Sequence, residues 1–102
     1  MLNQVILVGR IVDNLELDTK KEEKASELTI AAQKTIKNEE GVYETDFIKI
    51  LLFNMISQNT LEYCKKGDII GVKGRLSVID NNLRVIAEKV TFLSSNSNEK
   101  EE

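Results

Sequence analysis

The sequence predicts a small, mainly β protein: a five-stranded barrel with one short helix between strands three and four. Three observations lead there. Five segments read as strands, the first rich in β-branched residues and the second, third and fourth alternating apolar and polar residues with a period of two. One stretch with helical character, opening at Asn54, separates the third segment from the fourth. Gly9 lies inside the first segment, and Gly71 and Gly74 inside the fourth, where a closed sheet needs sharp bends. A generic α+β sandwich is the rival arrangement.

Taken in order, Leu2 to Val12 is rich in β-branched residues and reads as the first strand, broken by Gly9. Asp13 to Lys24 is charged, has no clear period and reads as a loop, mobile at Lys20 to Lys24. Ser26 to Ile36 places Leu28, Ile30 and Ala32 on one face and forms strand two. Lys37 to Gly41 is a hairpin loop, and Val42 to Phe53 returns antiparallel as strand three. Asn54 is the expected N-cap of a helix of two to three turns. Lys65 and Lys66 sit at its end and Gly67 stops it. Asp68 to Ile79 is strand four, with Ile70, Val72, Leu76 and Val78 on its apolar face. Asp80 to Asn82 is a turn and Leu83 to Leu93 the last strand. The folded domain is expected over residues 1–93, followed by a polar, acidic and disordered tail over 94–102. The order β-β-β-α-β-β is that of an OB-fold.

The composition removes several function classes. A chain of 102 residues holds one domain. It has one cysteine and no histidine, so neither an internal disulfide nor a zinc site within one chain is expected, and no cofactor. Without histidine the commonest general base is missing, and no phosphate-binding glycine motif occurs; an enzyme is not expected. The N-terminus has no charged leader and no apolar run reaches membrane length, so a cytoplasmic protein is expected. The net charge of −3 argues against nucleic acid, yet part of it lies in the tail. The chain's 14 basic and 17 acidic residues become 13 and 14 once Lys100, Glu99, Glu101 and Glu102 are set aside. Local placement decides binding in so balanced a domain.

Strand three carries the functional signal. Ile48, Ile50 and Leu52 share one face; Phe47, Lys49, Leu51 and Phe53 share the other. A buried face would not place lysine in its middle, and a solvated face would not carry two phenylalanines. Single-stranded nucleic acid asks for this mixture, since bases stack on rings and cations track phosphates. The same rings could instead cap the core or fill a subunit contact. Arg10, Lys34, Lys73, Arg75 and Arg84 add cations on the other strands, though each could be an ordinary solvated charge.

These residues resemble the bacterial and phage single-stranded DNA-binding protein (SSB) family. The resemblance rests on Met1-Leu2-Asn3-Gln4-Val5 with Leu7-Val8-Gly9-Arg10, Asp46-Phe47-Ile48 running to Leu52-Phe53, Lys65-Lys66-Gly67-Asp68, Gly74-Arg75-Leu76, and Ala87-Glu88-Lys89-Val90 with Phe92-Leu93. It spans most of residues 1–93. It implies an OB-fold that assembles as a homotetramer and binds single-stranded DNA without strong sequence preference, in replication, recombination or repair. It implies stacking on Phe47 and Phe53 and phosphate contacts from Arg10, Lys34, Lys49 and Lys73. Three departures stand out. Ile36 occupies a position that often carries an aromatic. The hairpin at Asp80-Asn81-Asn82 is short and lacks the aromatic usually found nearby. The tail ends in Asn98-Glu99-Lys100-Glu101-Glu102, without the family's Pro-Phe tip, so tail-mediated recruitment of replication proteins is not expected. Weaker DNA binding than in a typical member follows, as does a phage, mobile-element or accessory origin. The alternatives are a dimeric primosome-type OB protein that mainly bridges replication proteins, and a protein-binding OB module with no nucleic-acid role.

Overall fold

Five strands and one helix form in the order that the alternation predicts. They are β1 (Val5–Ile11), β2 (Ala25–Lys37), β3 (Tyr43–Phe53), α1 (Asn54–Tyr63), β4 (Ile69–Ile79) and β5 (Asn82–Ser94). The computed structural model describes residues 2–13 and 25–95. The expected mobile loop at 20–24, and the tail beyond Ser95, lie outside them.

The strands close into a barrel in the order β1-β2-β3-β5-β4. Every pairing is antiparallel except β3 with β5, which run parallel and meet only at Ile50–Val85 and Leu51–Ile86. β1 serves two neighbours: Val5 to Arg10 pair with β4, while only Arg10 and Ile11 pair with β2. The inward positions fill the barrel. Ile11, Leu28, Ile30, Ile50, Leu52, Ile70 and Val72 are fully buried and form one core cluster. Side chains of this size each contribute about 1.5–3 kcal/mol on burial. Helix α1 packs against β2, β3 and β5. It buries Ser57 and Thr60, and Ser57 shares a 2.7 Å hydrogen bond with Ser26 that satisfies both hydroxyls. Cys64 follows the helix into the core, where burial and then Asp68 push its thiol pKa up.

Several expectations need correction. Asn54 is not the N-cap. Phe53 takes that position with extended backbone and no capping side chain, and Asn54 enters the left-handed region at φ 54°, which asparagine tolerates. Lys65 and Lys66 lie beyond the last helical turn, and the cap is Cys64. Gly67 does not stop the helix. With φ 98° it shapes the turn into β4, where Asp68 Oδ2 accepts the Lys65 N–H. Leu76 and Val78 do not enter the core, because the β4–β5 hairpin runs past the end of the barrel. The hairpin turn is tighter than expected: Asp80 and Asn81 take φ 53° and 66°, as a two-residue type I′ turn requires.

Glycines sit where backbones approach most closely. A Cβ on Gly9 would stand 2.7 Å from the Ala31 carbonyl oxygen, and one on Gly74 only 2.0 Å from that of Ile86. Neither has positive φ, so both are glycine for room. Gly71 differs, its nearest neighbour being Leu93 Cδ1 at 3.7 Å. Gly74→Ala should therefore lower stability by about 2–3 kcal/mol in urea unfolding. Gly71→Ala should be neutral or stabilising, by up to about 1 kcal/mol.

Candidate nucleic-acid interface

The outer face of β3 is built by the β2–β3 register. Ala31 stands opposite Phe47, Thr29 opposite Lys49, Glu27 opposite Leu51 and Ala25 opposite Phe53. Small residues therefore stand opposite both phenylalanines. Phe47 is 67% exposed, which is a large apolar surface left in water. Phe53, lower on the strand, is half-buried.

Phe47 and Lys49 line one side of a groove of about 480 Å³, and Leu76, Leu83 and Arg84 line the other. The groove opens where the β3–β5 ladder, only two register pairs long, does not reach. Beyond that contact the β2–β3 arm and the β4–β5 hairpin diverge. Phe53 lines a second hollow of about 450 Å³ with Met55, Ile86 and Arg75. The groove has apolar walls and a cation on each side, a combination that fits bases with their phosphates.

The expected cations do not all meet there. Lys49 is exposed and has no acidic partner among the described residues. Arg84 pairs with Glu27 at 3.1 Å beside the groove, and Arg75 with Glu88 at 3.3 Å beside Phe53. Exposed pairs of this kind are worth about 0–1 kcal/mol, so a phosphate can displace the carboxylate at little cost. Lys34 pairs with Asp46 at 2.7 Å, and that hydrogen bond and charge raise the lysine pKa. Lys34 and Ile36 line a different hollow, of about 410 Å³, with Leu7 and Ile48 on the inward side of the arm. Arg10 is half-buried and donates from Nη1 to the Gly67 carbonyl at 2.7 Å, tying β1 to the turn before β4. Lys73 faces outward on β4, with Ile6 of β1 and Lys89 of β5 as its register partners. The structure thus gathers Phe47, Lys49 and Arg84, sets Phe53 and Arg75 next along the wall, and leaves Lys34, Ile36, Arg10 and Lys73 elsewhere.

Leu76 and Leu83 are groove residues that the sequence pattern did not reveal. Alternation assigned Leu76 to the core, and nothing in a single strand shows where a hairpin leaves the barrel. Tyr43 continues the face of Phe47 four residues earlier. Its signal was present, since it shares the odd-numbered alternation of Phe47 and Lys49.

Comparison with known proteins agrees with this architecture. Residues 2–93 match the model of the single-strand binding protein family. Single-stranded DNA-binding protein B of Bacillus subtilis (strain 168) is 32% identical, the match covering 98% of this chain and 97% of that one. Single-stranded DNA-binding protein 2 of Staphylococcus aureus (strain COL) is 34% identical over 99% of this chain and 80% of its own. A crystal structure of a deletion mutant of the single-stranded DNA binding protein from Thermus aquaticus superimposes with a TM-score of 0.72 at 23% identity. It covers 91% of this chain, which spans about half (51%) of that protein, and it supports the barrel fold. With the family's model matched from Leu2 to Leu93, the chain belongs to the single-strand binding protein family.

Proposed function

We propose that the protein binds single-stranded DNA, largely without regard to sequence, in replication, recombination or repair in the cytoplasm. Bases stack on Phe47, and Lys49 and Arg84 meet the phosphates. The observation that carries this reading is an exposed phenylalanine beside a lysine with no acidic partner among the described residues, on one wall of an open groove. Every base offers a ring face, so a groove of this kind tolerates sequence. Phe53 and Arg75 extend the track. The primosome-type alternative is not favoured, because the family model and the relatives are those of single-stranded DNA-binding proteins.

We further propose that the chain works as a homotetramer. Ile6 and Val8 are 70% and 56% exposed on the outer face of β1. From Val5 to Gly9 that strand has no ladder partner on its second edge among the described residues. An apolar strand with an open edge is a template for pairing with another copy. Light scattering should give four times the 11.5 kDa chain mass, whereas twice that mass would overturn the tetramer.

Fluorescence anisotropy with oligo-dT tests the DNA reading. Binding should be strong at low salt, prefer single over double strands and weaken as salt rises. Phe47→Ala should lose about 1–3 kcal/mol of binding. Its folding stability should stay within about 0.5 kcal/mol, because the ring is mostly solvated. Lys49→Ala should reduce the logarithmic salt slope by about 0.7. Equal affinity for single and double strands would overturn the assignment.

A further inference from the structure

The β2–β3 arm carries an aromatic side chain that neither the core nor the groove uses. Tyr43 is the first residue of β3 and is 44% exposed. Its strand neighbours Val42 and Glu44 are exposed as well, so the ring has no place in the barrel interior. Strand alternation puts it on the same face as Phe47 and Lys49, about 13 Å beyond Phe47 at the rise of an extended strand.

Lys37 stands directly opposite Tyr43, and its Nζ lies 5.5 Å from the ring centroid. A register shift in β2 produces this pairing. Gln33 pairs with Thr45, and an unshifted ladder would set Thr35 against Tyr43. The irregularity between Gln33 and Lys37 advances the strand by two residues and places the lysine there. A cation over an aromatic face is attracted to the ring, and the Tyr43 ring keeps solvent-exposed surface beside it. The ammonium also lies within reach of a phosphate next to a base stacked on that ring.

The tip is held in shape for this. Asn38 Oδ1 accepts the N–H groups of Glu40 and Val42, and the Asn38 N–H donates to the Val42 carbonyl. Asn38 Nδ2 also donates to Glu44 Oε2 at 3.3 Å, engaging the carboxylate nearest to Tyr43 in sequence. Alternation sends Glu44 to the opposite face of the strand. The outer face of the arm thus presents, in order, Tyr43 with Lys37, then Phe47, then Lys49.

We propose that Tyr43, with Lys37 over its ring, is a further base-stacking position at the arm tip, taking the same DNA strand that Phe47 takes. The proposal rests on the single-stranded DNA reading above and adds a binding site to it. The chain has two tyrosines and no tryptophan, so Tyr63→Phe leaves Tyr43 as the one intrinsic fluorophore of that kind. Titrating this variant with oligo-dT of about 16 nucleotides, the upper site size of one OB domain, should quench most of the tyrosine emission. Tyr43→Leu keeps an apolar side chain beneath Lys37 but removes the ring. It should weaken binding of that oligonucleotide about tenfold, while Tyr43→Phe stays within about threefold of wild type. Unchanged emission at saturation by anisotropy, or wild-type affinity in Tyr43→Leu, overturns the proposal. Should Tyr43→Leu fail to fold, the emission of Tyr63→Phe still decides. If Phe47→Ala weakens binding and Tyr43→Leu does not, the groove assignment stands and the tip assignment falls. If wild type shows no preference for single strands, both fall.

Discussion

The close approach of backbones at Gly9 and Gly74 is the constraint on which the rest of the structure depends. At each of these places a methyl group would collide with the carbonyl of the neighbouring strand. Their absence lets β1 bend away from β4 to reach β2, and lets β4 and β5 cross tightly around a bulge between Lys73 and Gly74. Bending closes the sheet, leaving open edges among the described residues along β1 from Val5 to Gly9 and where strands run on beyond the wall. The strands that run on are the β2–β3 arm and the β4–β5 hairpin, and the groove is the gap between them. A local steric requirement at two glycines thus sets where the groove lies.

A chain of net charge −3 nonetheless sets cations beside this groove. Affinity for a strand follows the cations beside the bound phosphates, not the sum over the molecule. Lys49 is unpaired among the described residues, and Arg84 and Arg75 are held in exposed pairs that a phosphate can break. Arg10 and Lys34 are engaged differently. The first braces β1 against the turn before β4, and the second faces the inward side of the arm with Asp46. Basic residues of similar appearance in sequence therefore differ by their surroundings: Lys49 and Arg84 line the groove, while Arg10 and Lys34 are engaged away from it.

Much of the fold was legible from residue order. The alternation of β3 separated Ile50 and Leu52, both fully buried, from Phe47 and Lys49, both exposed. Gly9 and Gly74 announced the close approaches, while Gly71 marks none. What stayed hidden depended on pairs far apart in the chain. Arg84 meets Glu27, and Arg10 meets Gly67, each across 57 residues, and register alone decides such pairs. Leu76 and Val78 alternate like core residues yet stand exposed, because periodicity reports a side chain's face and not whether the barrel still lies behind it. The two-residue shift that brings Lys37 over Tyr43 leaves no local mark in composition.

The central claim is that one wall of the barrel, the outer face of β3 with the β4–β5 hairpin opposite, receives the DNA strand. Amide chemical-shift mapping of the full chain during titration with oligo-dT tests it most directly. The account expects the largest shifts at Phe47 and Lys49 on one side of the groove and at Leu83 and Arg84 on the other, with Ile6, Val8 and Lys73 little changed. Shifts concentrated on Ile6, Val8, Lys73 and Lys89, with the groove silent, would contradict it.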